Sequence, residues 1–264
     1  MTSTYLDKIL AQHRELASAD KRSLEALVEE AGRIDERPRS FARALMEPPG
    51  MAVISEIKRR SPSRGDLFAD LDPAALARSY AAGGASCLSV LTDEEHFGGS
   101  AADLAAARGA VDLPVLRKDF TVSAHDVVDA RLMGADAILL IVAALDDAEL
   151  TDFHDLATEL GLSVLVETHD HAEVDRALSV GADVIGVNQR DLLTFEVDTA
   201  RAVEVATAIP DTVIAVAESG ITSPEDLPPL FEAGYKAALI GETLVRSGDP
   251  EKMVRAMRAA TTDL

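Results

Sequence analysis

Gly134-Ala135-Asp136-Ala137-Ile138-Leu139-Leu140-Ile141-Val142-Ala143 joins two signals within ten residues. Glycine followed by a small residue suits the left-handed turn that closes a helix. The unbroken apolar run behind it suits a parallel strand covered on both faces. Similar punctuation recurs as Gly84-Ala85-Ser86, Gly181-Ala182-Asp183 and Gly234-Tyr235-Lys236, so the four glycines stand 50, 47 and 53 residues apart. Each interval is two strand-helix units long. Working outward, apolar runs at 52–57, 87–91, 114–116, 137–143, 163–166, 184–187, 213–217 and 237–240 predict eight strands. Helices are expected between them, for example 73–82 behind Asp72, 124–133 behind Ser123 and 224–233 behind Ser223, with Pro73 and Pro224 at first helical positions. Four double units make a closed barrel. An open doubly wound sheet would carry a glycine-rich turn after its first strand, where this chain has Lys58-Arg59-Arg60-Ser61-Pro62-Ser63. The fold expected is α/β, a single (β/α)8 TIM barrel over residues 51–264.

Residues 1–50 lie outside that beat and predict a helical extension packed on the barrel. Leu6, Ile9, Leu10, His13 and Leu16 share one helical stripe, and Leu24, Leu27 and Val28 repeat the spacing until Gly32. Pro48-Pro49-Gly50 ends it.

At 47% hydrophobic, 264 residues can bury a large core, and a net charge of −21 argues against nucleic acid or an anionic membrane as partner. The lone Cys87 cannot form an internal disulfide or a thiolate zinc site. No apolar run reaches bilayer length and the N-terminus lacks a signal pattern, so a cytoplasmic protein is expected.

A parallel barrel keeps its chemistry at the carboxyl ends of its strands. There the chain places Ser55-Glu56-Ile57-Lys58, Arg117-Lys118-Asp119, Glu167-Thr168, Asn188-Gln189-Arg190-Asp191, Glu218-Ser219-Gly220 and Gly241-Glu242. Only six lysines stand against nineteen arginines, yet two lysines occupy strand ends. A desolvated lysine can give up its proton where arginine cannot, although surface ion pairing is the plain alternative. Glu56 and Lys58 are two apart, as are Asn188 and Arg190, so each pair shares a strand face. Lys58 to Arg64 carries four positive charges, read either as a solvated loop or as a lid over an anion. Gly220 and Gly241, on the last two strands, suit phosphate held by backbone N–H groups, or are simple turn residues. Phe97 and Phe120 are rim packing or walls for an aromatic substrate. His169-Asp170-His171 reads as a helix start with capping and surface roles, so no metal is expected. Phosphate-loop and serine-elbow motifs are absent.

These residues, together with Leu88-Ser89-Val90-Leu91-Thr92, Phe97-Gly98-Gly99-Ser100, Leu116-Arg117-Lys118-Asp119-Phe120, Gly186 to Leu192 and Ala217 to Ile221, resemble the indole-3-glycerol phosphate synthase family along the whole chain. The resemblance implies a carboxy-lyase of tryptophan biosynthesis that cyclises, decarboxylates and dehydrates 1-(2-carboxyphenylamino)-1-deoxyribulose 5-phosphate without metal or organic cofactor. It implies catalytic roles for Glu56, Lys58, Lys118, Glu167 and Asn188. Lys118 would be the ring-closing acid, and Lys58 and Glu167 the acid and base of dehydration. It implies substrate contacts from Ser61, Phe97, Phe120, Arg190, Leu192, Glu218 and Ser219, and phosphate contacts from Lys58, Ser61, Ser219, Gly220, Gly241 and Glu242. Some relatives have serine at the Glu242 position, and a glutamate side chain repels phosphate, so only its N–H would serve. The partner implied is a phosphorylated small molecule, and the expected state is a monomer, with a dimer as the alternative. The rivals are phosphoribosylanthranilate isomerase, which would end its first strand in cysteine, and a non-catalytic anion-binding barrel, which would not need Lys118 or Glu167.

Overall fold

A computed structural model describes residues 5–61, 65–68, 70–190 and 198–264. Eight parallel strands close into a barrel: β1 (Ala52–Ile57), β2 (Cys87–Leu91), β3 (Val115–Lys118), β4 (Ala137–Ile141), β5 (Ser163–Thr168), β6 (Val184–Asn188), β7 (Ile214–Glu218) and β8 (Ala237–Ile240). Closure is by β8 on β1, with Ala52 opposite Ala237 and Ser55 opposite Ile240. The expected (β/α)8 architecture is therefore present. The helices are α1 (Tyr5–Ala19), α2 (Leu24–Gly32), α3 (Phe41–Met46), α4 (Pro73–Gly83), α5 (Glu94–Phe97), α6 (Ala101–Ala110), α7 (Ala124–Leu132), α8 (Asp147–Glu159), α9 (His171–Ser179), α10 (Thr199–Ala206), α11 (Leu227–Glu232), α12 (Glu242–Arg246) and α13 (Pro250–Ala259). No described helix is long and apolar enough to cross a membrane.

The repeated glycines do what their position requires. Gly134 sits at φ +85°, and the N–H of Ala135 reaches back to Ala130 O at 2.9 Å, the bond that closes a left-handed cap. Gly84, Gly181 and Gly234 share the positive φ, and the following N–H bonds five residues back each time. The expected 224–233 helix divides into a 3-10 turn, Pro224–Asp226, and α11. Pro228 and Pro229 have no N–H to give the residues four before them, so the α ladder cannot start until later.

Four strands run further than their apolar sequence. β3 takes in Arg117 and Lys118, β5 Glu167 and Thr168, β6 Asn188, and β7 Glu218. A ladder is a main-chain structure and continues under polar side chains, whereas the apolar run marks only the part that faces core. Pro114, without an N–H, stays outside β3 but still accepts from Leu88 N–H at 2.9 Å. β4 stops at Ile141, where Val142–Ala144 tightens into a 3-10 turn.

Alternation along the strands positions the site. Ala52 and Ile54, Leu116, Leu139 and Ile141, Leu165, Val184, Ile214 and Val216, and Ala237 and Leu239 pack in one cluster that fills the barrel. Phe41 and Leu45 of α3 join this cluster; α3 is a helix the periodicity did not announce. Stepping two residues on along β1, β3, β5, β6 and β7 gives Glu56, Lys118, Glu167, Gly186 then Asn188, and Glu218. The inward row thus changes from apolar to charged at the carboxyl end of the barrel.

Of the extension, α1 reaches this charged end: Ile9 is buried, and Tyr5 and Leu6 border the cavity there. His13 Nε2 meets Asp93 Oδ2 at 2.9 Å. Leu16 remains 62% exposed, so the apolar stripe of α1 outruns its contact surface.

Candidate active site

A cavity of about 700 Å³ opens at the carboxyl ends of the strands. It gathers Glu56, Lys58, Lys118, Glu167, Asn188, Arg190 and Glu218 over a floor of Leu139, Ile141 and Leu239. Lys118 Nζ donates to Glu167 Oε2 at 3.2 Å and lies 3.8 Å from Glu218 Oε2. Asn188 Nδ2 donates to Glu167 Oε1 at 3.2 Å, while Asn188 Oδ1 accepts the Arg190 N–H at 3.0 Å. Lys58 pairs with Glu56. The register explains the meeting, because Glu167 stands opposite Gly186, and Asn188 opposite Glu218.

Glu56, Glu167 and Glu218 share this space with the Lys58, Lys118 and Arg190 cations, and Lys118, Glu167 and Glu218 depart from their ordinary titration. Burial works against the Lys118 ammonium, but the charges of Glu167, Glu218 and Glu56 outweigh it and hold its pKa above the usual range. The sequence argument expected a lysine that sheds its proton easily; the surrounding anions make it a fixed cation. Burial would raise Glu167, yet Lys118, His169 and Asn188 hold it well below an ordinary carboxyl. Glu218 goes the other way: burial, and then the charge of Glu167, push it well above the usual carboxylate range. Its Oε1 is buried without a hydrogen-bond partner. The site therefore drives its two carboxyls apart, Glu167 toward the ionised form and Glu218 toward the protonated one.

Two glycines make the room. A Cβ on Gly186 would fall on the Glu218 carboxylate, and one on Gly241 on the Glu56 carboxylate. Each obstructing atom is the end of a flexible side chain, so an added methyl would displace the carboxylate and leave the barrel intact. Gly186→Ala should lower kcat by about ten- to a hundredfold through misplacement of the Glu218 carboxyl beside Lys118. Its Tm should stay within about 3 °C of the parent. Steady-state kinetics beside a melting curve check this, and an unaltered kcat would show that Glu218 need not stand where it does.

The loop after β7, with Ser219, Gly220, Ile221 and Thr222, and Gly241 after β8 with Glu242, Thr243 and Arg246 of α12 form the other side of the cavity. Ser219 is the one non-glycine described residue in the left-handed region, at φ +66°, and Gly220 follows at +73°. The turn is held by Gln189 Nε2, which donates to Ser219 O at 3.0 Å, and by Thr243 Oγ1, which donates to Ile221 O at 2.7 Å. The Glu242 carboxylate is drawn to Arg246 one turn along α12, 3.1 Å away.

Phe97 and Phe120 border the cavity with ring centroids 6.2 Å apart, tilted by 39°. Ser61 ends a two-residue strand and pairs antiparallel with Gly65, but its side chain lies outside what the structure describes, and Leu192 lies outside the described residues altogether. The basic run is not a lid of solvent-facing cations over its described part. Arg59 is tied to Asp103 and to Leu71 O, and Arg60 to the carbonyls of Glu94 and Glu95, because these arginines find partners on α5, α6 and the loop before α4. Arg117 also leaves the mouth: it faces away from the cavity beneath α7, bonded to Thr92, Asp119 and Asp126 O. Asp170 caps α9 as read, but His169 is not on the surface. Its ring is largely buried, with Nε2 3.7 Å from Glu167 Oε1. Tyr5, Leu6, Arg246 and Gly186 are further contributors that the motifs did not single out. His13, Asp93 and Asp119 approach closely enough to share an ion, although Asp93 also caps α5 and Asp119 is paired with Arg117.

Comparison with known proteins bears on this arrangement. A family model described as indole-3-glycerol phosphate synthase matches residues 6–257. The curated indole-3-glycerol phosphate synthase of a Nocardioides species is 50% identical over 253 residues, covering 96% of this chain and 97% of that protein. The one from Micrococcus luteus is 53% identical over 215 residues, covering 81% and 80%. Among solved structures, a thiamine phosphate pyrophosphorylase from Pyrococcus furiosus superposes with a TM-score of 0.61 at 14% identity, over 84% of this chain and 97% of that one. An N-acetylmannosamine-6-phosphate 2-epimerase from Clostridium perfringens gives 0.61 at 13%, over 80% and 93%. At those identities the likeness is one of fold.

Proposed function

Because the chain belongs to the indole-3-glycerol phosphate synthase family, its reaction is the conversion of 1-(2-carboxyphenylamino)-1-deoxyribulose 5-phosphate to indole-3-glycerol phosphate, carbon dioxide and water, and we propose the following division of labour. The observation that carries it is the convergence of Lys118, Glu167 and Glu218 on one point of a cavity that also reaches the loops after β7 and β8.

Ring closure joins the ring carbon bearing the carboxylate to the ribulose carbonyl carbon, and the carbonyl oxygen needs a proton as it becomes a hydroxyl. Lys118 supplies it. A strongly held ammonium is a weak acid, but the alkoxide it meets is a strong base, so transfer runs toward the substrate as charge develops. Carbon dioxide then leaves and the ring regains its aromaticity. Dehydration expels the new hydroxyl with a second proton, from Lys58, while Glu167 takes the proton from the ring methylene. Glu56 pairs with Lys58 and holds it in place. Asn188 aligns Glu167 and meets the sugar hydroxyls. The phosphate lies against the N–H groups of Ser219, Gly220, Gly241 and Glu242, with Ser61 and Lys58 on the near side. The pairing of Glu242 with Arg246 supports this by offsetting a carboxylate charge that would repel the phosphate. Phe97, Phe120 and Leu192 wall the aromatic ring. The reading calls on no metal or organic cofactor, and carries with it a monomeric, cytoplasmic enzyme; gel filtration tests the first.

Arg190 is assigned the substrate carboxylate, so Arg190→Ala should raise KM by about ten- to a hundredfold, the worth of one charge-assisted contact. An inhibitor lacking the carboxylate should be nearly indifferent to the change, and equal penalties for both would remove the contact. The activity itself is tested by indole fluorescence when purified protein meets the aminodeoxyribulose phosphate, against a chain with no tryptophan of its own. A rising signal is expected, and none at saturating substrate would overturn the reading.

A further inference from the structure

His169 follows β5 directly and looks back at its last inward residue. Its N–H and its Nδ1 both meet Glu173 Oε2, at 2.8 and 2.9 Å, so the α9 carboxylate fixes the ring from behind. On the other side Nε2 lies 3.7 Å from Glu167 Oε1, buried and without a hydrogen-bond partner of its own. That oxygen is the one Asn188 holds, whereas Lys118 holds the other. Glu173 can only accept, so Nδ1 carries a hydrogen. A neutral ring would then turn the Nε2 lone pair on the Glu167 carboxylate, and an imidazolium would turn an N–H on it. Only the second state is attracted to a carboxylate at both faces.

We propose, on the basis of the function assigned above, that His169 is a positioning residue for the reaction: held by Glu173, it acts as an imidazolium that fixes Glu167 and keeps it ionised between Lys118 and Asn188. The groups facing it are Glu167 from β5, Glu173 from α9 and Arg201 from α10, with Asp170, His171 and Glu204 around the small cleft behind it. Burial and Arg201 oppose the charged ring, and the two glutamates outweigh them to raise its pKa. The sign follows. The imidazolium persists to higher pH than that of an ordinary histidine and is lost as pH rises further, so Glu167 loses its support on the alkaline side.

The test is a pH profile of kcat with three variants, beside an NMR titration of the histidine ring. His169→Ala should lower kcat about ten- to thirtyfold, with KM within about threefold of the parent. His169→Gln, which keeps a donor but cannot titrate, should restore most of that loss and remove the alkaline limb. Glu173→Gln should move that limb about one pH unit lower, and the ring titration with it. Should His169→Ala fold poorly, the titration in the intact enzyme and in Glu173→Gln still decides. A ring that titrates below its ordinary value, or variants that keep the parental profile while losing only thermal stability, would overturn the proposal. Absence of any indole signal from the intact enzyme would instead strike the function itself.

Discussion

Lys118→Met should lower kcat by about three to four orders of magnitude while a product-like phosphate ester binds within about threefold of its parental affinity. The size follows from what one well-placed acid contributes, about 10²–10⁴, and corresponds to about 4–5 kcal/mol of barrier. Methionine keeps the length of the chain over Leu139 and Leu239 but offers no proton. The loops after β7 and β8, proposed to hold the phosphate, are braced by Gln189 and Thr243, so binding should survive the loss of Lys118. Glu167 and Glu218 would lose their shared cation, and Glu167, whose carboxyl is held down chiefly by Lys118, would rise toward its neutral form. That relief limits the damage to folding. Rapid-quench kinetics and product titration measure both halves, and a turnover within about tenfold of the parent would remove Lys118 from the acid's place.

Glu167→Gln is expected to cost kcat about 10²–10³, less than loss of the acid because Glu218 stands in the same cavity. The glutamine still accepts from Lys118 and faces Asn188, so geometry is largely kept and the loss reads on proton abstraction. A second effect follows from the charge count. Removing the Glu167 anion takes away the like charge that, after burial, holds the proton on Glu218. Glu218 is then drawn toward ionisation beside Lys118. The infrared band of its protonated carboxyl should therefore disappear at lower pH in the variant than in the parent. Its persistence to the parental pH would mean that burial alone raises Glu218.

How far these assignments could be read in advance depends on the kind of signal. Glu56, Lys118, Glu167, Asn188 and Glu218 were legible because a strand alternates with period two, so the first charged or amide residue of an inward row marks the end of the packed core. The same rule sends Arg117, one residue before Lys118, to the opposite face, where it serves the packing beneath α7. Arg59 and Arg60 misled because a run of charge says nothing of its partners, and Asp103 is 44 residues away from Arg59 in the chain. Gly186 stayed hidden since its use is to be absent, leaving space for a carboxylate from the next strand. His169 resembled a helix start, which its neighbour Asp170 is; its burial against Glu167 depends on how α9 returns along the barrel. The stripe of α1 was visible, but a stripe has no address. That Tyr5 and Leu6 border the cavity is a fact of docking.

A crystal structure with indole-3-glycerol phosphate bound tests the central claim most directly. The phosphate should rest on the main-chain N–H groups of Gly220, Gly241 and Glu242. The indole should lie against Phe97 and Phe120, its five-membered ring within hydrogen-bond reach of Lys118 and Glu167, about 3 Å. Product density in any other cleft, or density here with Lys118 and Glu167 turned away from the ring, would contradict it.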